Sequence, residues 1–68
     1  MLGDLLRDIR TKRGVSLSVA ASGIGTTKQH LYELETGRAN NPTMSMLVGL
    51  MAYYRITFSE ILQSWENE

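Results

Sequence analysis

The sequence predicts an all-α fold, a bundle of five short helices forming a single domain over residues 1–68. Three observations predict it. Apolar residues recur at helical rather than strand spacing, as in Leu2, Leu5, Leu6 and Ile9, which fall at i, i+3, i+4 and i+7. Ser16, Thr27 and Thr57 stand where helix N-caps are needed, and Gly14 and Gly37 stand where helices should stop. A chain of 68 residues is also too short for two hydrophobic cores.

Helix one is expected over residues 2–13. Asp4 and Asp8 come early in it and Arg10, Lys12 and Arg13 late, as the helix dipole favours, and Gly14 ends it. Ser16 caps a short, Ala-rich helix two with its body at residues 17–22. Gly23 and Gly25 bracket Ile24; Gly25 suits the left-handed turn, and Ile24 is expected inside that turn, plugging the core. Thr27 caps helix three, whose body runs from Lys28 to Thr36. Leu31 and Leu34 mark its buried side, while Lys28, Gln29, Tyr32 and Glu33 face outward. A polar loop over 38–42 follows, and Pro42-Thr43 opens helix four. Its expected stripe is Met44, Leu47, Val48 and Met51, widened by Leu50 and Tyr54. Gly49 costs that helix roughly 1 kcal/mol against Ala. Arg55-Ile56 is a link. Thr57 caps a last helix with Phe58, Ile61, Leu62 and Trp65 apolar, and Glu66–Glu68 is expected to fray.

Composition excludes several function classes. The chain has no Cys, which rules out disulfides, thiolate metal sites and a cysteine nucleophile. His30 is the single histidine and cannot build a metal site alone, so no metal or cofactor is expected. Ser16, Ser18 and Ser22 have no His/Asp partners at plausible spacing, so the chain is not expected to be an enzyme. Residues 1–10 carry charges where an export signal needs an apolar core, and 44–54 is too short to span a bilayer; the cytoplasm is the expected location, with no membrane partner. The formal charge is zero, weak for a nucleic-acid binder. It is uneven, though: residues 1–55 hold all seven Lys/Arg against four acids, a balance of +3, and residues 56–68 hold three Glu, −3. That balance fits a DNA-facing part or an ordinary scatter of solvated charge.

Helix two, the glycine turn and helix three together, at about residues 17–36, have the pattern of a helix-turn-helix, whose second helix enters the DNA major groove. The surrounding residues extend the likeness: Arg10, Gly14 and Ser16; Ala21, Ile24 and Gly25 at the turn; Thr27; Leu31, Leu34, Glu35 and Gly37 in LYELETG; then Pro42, Leu47, Ile56, Ile61 and Leu62. With these the chain resembles the lambdoid-phage repressor and Cro type of DNA-binding domain, the Xre family, over residues 2 to about 62. The resemblance implies a salt bridge between Arg10 and Glu35, tying helix one to helix three. It implies that Thr27, Lys28, Gln29, Tyr32 and Glu33 point at the groove, that the loop carrying Arg38, Asn40 and Asn41 runs along the phosphates, and that Ile56, Phe58 and the last helix meet a second subunit. Relatives commonly have Gln, Leu and Ala where this chain has Leu17, Ala20 and Met51. Leu17, Val19 and Ala20 suggest a locally rearranged helix two, with Ser16 or backbone N–H groups taking over its phosphate contact.

Residue chemistry assigns the roles. The Gln29 amide suits adenine N6 and N7; Lys28 suits guanine O6 or N7, or a phosphate. Tyr32 fits a thymine methyl or a phosphate, and Glu33 fits cytosine N4 or repels phosphates. Arg38, Asn40 and Asn41 are phosphate binders or plain turn residues; Arg13 and Lys12 are phosphate contacts or solvated helix-end charges. His30 fits a phosphate contact or a pH sensor but reads rather as a surface or half-buried residue without a duty, and Met44, Met51 and Tyr54 read as core rather than a ligand pocket. Phe58 and Trp65, with Ile56 and Ile61, are expected at a dimer contact. The expected function is sequence-specific regulation of transcription by a homodimeric repressor on a near-palindromic duplex operator. The other expectation is a protein-interaction module of the same fold, of antitoxin or anti-repressor type, with weak or lost DNA binding.

Overall fold

The computed structural model describes residues 2–66, and these form five helices with no strand among them: α1 (Leu2–Lys12), α2 (Leu17–Ile24), α3 (Lys28–Thr36), α4 (Met44–Tyr54) and α5 (Phe58–Glu66). Of the tail expected to fray, α5 includes Glu66, while Asn67 and Glu68 lie outside the described residues. None of these helices is long and apolar enough to cross a membrane.

Side-chain caps set the starts. Ser16 Oγ accepts from the Val19 amide at 3.1 Å, Thr27 Oγ1 from His30 at 3.1 Å, and Thr43 Oγ1 from Met46 at 3.2 Å. Thr57 and Glu60 close a capping box, in which the Glu60 amide donates to Thr57 Oγ1 and the Thr57 amide donates to Glu60 Oε1, both at 3.1 Å. Left-handed residues set the stops. Gly25, at φ 92°, ends α2 while the Ala21 carbonyl accepts from the Gly25 and Thr26 amides at 2.9 Å. α4 instead ends on Arg55 at φ 56°, the one non-glycine residue with positive φ among those described.

α3 packs on α1 and α2, α2 also packs on α4, and α5 lies against α1. The centre holds Leu6, Leu31, Leu34, Leu50, Tyr54 and Ile61, all fully buried. Gly49 has a packing reason that its local sequence does not show. A Cβ there would collide with the Ile24 backbone carbonyl, so α2 and α4 meet backbone to side at this point.

Four expectations are corrected. Ile24 is buried as expected, but as the last residue of α2 and not within the turn. α2 is a regular eight-residue helix, not rearranged; Ala20 and Ala21 are small enough to sit buried beneath it, and Val19 points outward. The stripe of α4 is Met46, Leu47, Leu50 and Tyr54, with Met44 and Val48 exposed. An almost wholly apolar helix gives its periodicity no polar face to set the phase, so packing against α2 sets it. Ile61, expected at a dimer contact, is fully buried in the chain's own core and offers a partner no surface.

Candidate nucleic-acid interface

The geometry of α3 follows from three buried residues. Leu31, Leu34 and Glu35 face inward, and the 100° step of a helix then turns Lys28, Gln29, Tyr32 and Thr36 to the opposite side, where all four are exposed. Glu33 is half-buried at the edge of this face. Tyr32 keeps 41% of its surface exposed. Thr36, not among the residues expected on this face, lies near its middle, one i, i+7 step beyond Gln29, a spacing present in the sequence. Its hydroxyl donates to the Tyr32 carbonyl at 2.9 Å.

Three local features suit this face to an anionic polymer. α2 and α3 carry no acidic residue in their first turns, so the positive ends of their dipoles are uncompensated. The Ser16 and Thr27 hydroxyls accept capping bonds from the backbone, which leaves each O–H free to donate outward. Lys28 stands at the positive end of the α3 dipole, against local helix preference, the kind of departure that marks functional positions. Beyond α3, Gly37 turns the chain with Arg38 and Gly37 amides donating to the Glu33 and Leu34 carbonyls, a Schellman closure. Arg38, Asn40 and Asn41 follow it, all exposed.

The face is held rigid from behind. Arg10 Nε donates to Glu35 Oε2 at 2.8 Å and Nη2 to Oε1 at 3.0 Å, a bidentate pair joining α1 to α3, while Nη1 donates to the Val15 carbonyl at 2.9 Å. The Glu35 hydrogen bond is the main reason that the Arg10 pKa is raised above its ordinary value. His30, half-buried in the first turn of α3, lies 3.2 Å through Nδ1 from the Thr26 hydroxyl.

Arg13 does not join this surface. Its Nη2 donates to the Tyr54 carbonyl at 2.6 Å, and its guanidinium stands 5.6 Å from the centre of the Tyr54 ring. The orphan carbonyls at the end of α4 draw the charge that the sequence reading offered to phosphate. The expected contact residues of the second subunit also divide: Phe58 is exposed, Ile56 and Trp65 are partly buried against the core, and Ile61 is inside it. An open cleft of about 250 Å³ beside α3 is lined by Arg7, Arg10, Leu17, Tyr32, Glu35 and Thr36. It brings Arg7 next to the exposed face, a neighbour that only the crossing of α1 over α3 reveals.

The helix-turn-helix domain family matches residues 1–61. Among solved structures, the chain is similar to SinR, the master regulator for biofilm formation, crystallised in complex with DNA: 27% identity, a TM-score of 0.83, and coverage of 91% of this chain and 98% of that one. No curated protein matches.

Proposed function

The chain belongs to the helix-turn-helix domain family, in its Xre-like form, and from that membership we propose that it is a DNA-binding transcriptional regulator, a homodimeric repressor acting in the cytoplasm on a near-palindromic operator. One observation carries the reading. α3 presents Lys28, Gln29, Tyr32 and Thr36 on an open face, braced from behind by a bidentate ion pair, as an element that enters a major groove must be. The likeness to SinR bound to DNA supports it.

In this reading the five helices act as one domain, and no catalytic step, metal or cofactor is involved. Lys28 and Gln29 read base edges; Thr27, Ser16, Arg38, Asn40 and Asn41 hold phosphates and set the register. Glu33, at the edge, excludes misplaced phosphate strands. The domain extends only 28 × 23 × 23 Å. One copy therefore covers one major groove, and two copies are needed for half-sites about 34 Å apart. Repression follows sterically, by occupation of the site that polymerase needs.

Selection of bound duplexes from a random pool, with the purified chain at moderate salt, tests the reading. Enrichment of two-fold-related half-sites one helical turn apart is the expected outcome. A folded chain that enriches no sequence would give way to the protein-interaction reading. On the enriched duplex, Gln29→Ala should relax base choice at one position at a cost of roughly 1–3 kcal/mol. Arg38→Ala should weaken all duplexes alike and make the dependence of affinity on salt shallower by about one unit. Equal losses on every sequence for Gln29→Ala, or an unchanged salt slope for Arg38→Ala, would reject these assignments.

A further inference from the structure

The cleft between α1, the start of α2 and α3 has an unbalanced charge. Of its two arginines, Arg10 is paired: each of its three nitrogens donates, to the two Glu35 oxygens and to the Val15 carbonyl, so this ion pair contributes no net charge. Arg7 is exposed, and its guanidinium takes no hydrogen bond or ion pair among the described residues. Asp8, beside it in sequence, is paired with Lys12 at 3.0 Å. Leu17 offers the cleft no polar group, and the Thr36 hydroxyl is already donating to the Tyr32 carbonyl. One cation, Arg7, and one exposed phenol, Tyr32, are therefore left with unused donors on the lining of a single concavity. At about 250 Å³ the cleft has room for a tetrahedral anion with water, since a liquid water occupies roughly 30 Å³.

We propose that this cleft seats one phosphate of the DNA backbone, held by the Arg7 guanidinium and the Tyr32 hydroxyl. The inference rests on the DNA-binding reading above and deepens it. Tyr32 becomes a backbone contact rather than a base reader, and base reading is left to Lys28 and Gln29, one turn nearer the start of α3. The duplex is the fitting occupant because the cleft opens beside the exposed face of α3, where a polymer laid along that face brings a phosphate already positioned. A lone surface cation holds a free anion weakly, whereas each phosphate contact along a polymer adds to a binding that the other contacts have already oriented.

The test is duplex binding by anisotropy across a salt series, on the enriched duplex and on an unrelated one, for the wild-type chain, Arg7→Gln, Arg7→Lys, Tyr32→Phe and the Arg7→Gln/Tyr32→Phe double variant. Far-UV circular dichroism and melting confirm folding; Arg7 and Tyr32 are both exposed, so little change is expected. Arg7→Gln should lower affinity roughly tenfold on both duplexes, as loss of a charged hydrogen bond does, and make the salt slope shallower by about one unit. Arg7→Lys should restore the slope. Tyr32→Phe should cost roughly fivefold on both duplexes without changing the selected sequence, and less than that when Arg7 is already Gln, because both groups hold the same phosphate. An unchanged slope for Arg7→Gln, or a change in selected sequence for Tyr32→Phe, overturns the phosphate seat while DNA binding by the wild type still stands. A wild-type chain that binds no duplex overturns both.

Discussion

Arg10, half-buried, and Tyr54, fully buried, meet opposite fates. The Arg10 side chain is 14% exposed and that of Glu35 4%, and each finds the other bidentately. Removing one partner leaves a charge stranded in low dielectric, so Glu35→Ala should cost about 3 kcal/mol. Urea unfolding reads this from the midpoint, and a loss below about 1 kcal/mol would show that the pair is better solvated than its geometry implies. The Tyr54 hydroxyl is buried and makes no hydrogen bond among the described residues. Burial above all, then the Glu35 charge, pushes its pKa up from 10.0 to about 12. Tyr54→Phe deletes an unmatched polar atom and should leave stability at pH 7 unchanged or raise it by about 1 kcal/mol. The folded state holds this proton more tightly than the unfolded one, so its contribution is complete below pH 10 and disappears as pH rises to about 12. Wild-type stability should therefore fall faster than that of Tyr54→Phe in this window, by at most about 1.4 kcal/mol per pH unit. Parallel curves would show that the hydroxyl is solvated in the folded state and its pKa unshifted.

α4 places local preference and packing in conflict. Isolated, the helix would gain roughly 1 kcal/mol from Gly49→Ala. In the fold, the new Cβ would meet the Ile24 carbonyl, a backbone atom that cannot swing aside, and α2 would have to move. Overpacking of this kind costs roughly 1–3 kcal/mol, so Gly49→Ala should lower thermal stability; a rise would mean that α2 and α4 separate freely. α2 is the element through which such a shift would reach the interface, because it packs on α4 and on α3. The caps act the other way, within single elements. Each Ser or Thr cap accepts an amide from the residue three positions on, so a helix start needs no tertiary partner to be specified.

The five helices of the described residues bury a small core and leave large apolar side chains outside it: Met44, Val48, Phe58 and Leu62 on α4 and α5, and Val19 on α2. A second copy of the chain, covering α5, is the occupant that the proposed function requires. Phe58→Glu should shift the chain from dimer to monomer in sedimentation equilibrium and keep its helical content, since Phe58 is 48% exposed. Ile61→Glu, on the same helix, should instead unfold the domain, because that side chain is fully buried. A dimer that survives Phe58→Glu would place the subunit contact elsewhere.

The sequence by itself determined where the helices begin, where most of them end, and that α3 turns Lys28, Gln29 and Tyr32 outward. Ser16, Thr27, Thr43, Thr57, Gly25 and Gly37 act within a few residues of themselves, and α3 has polar and apolar positions distinct enough to set its phase. The Arg10–Glu35 pair came from the family resemblance and stands in the structure as that resemblance implied. Only the tertiary structure decided the phase of α4, the burial of Ile61 beside an exposed Phe58, the capture of Arg13 by the end of α4, and the meeting of Arg7 with Tyr32 across a cleft. Each of these depends on how two helices cross. An apolar helix such as α4 packs equally well on several of its faces until a neighbour such as Ile24 selects one, and a cation goes to whichever unpaired oxygen the packing brings near it.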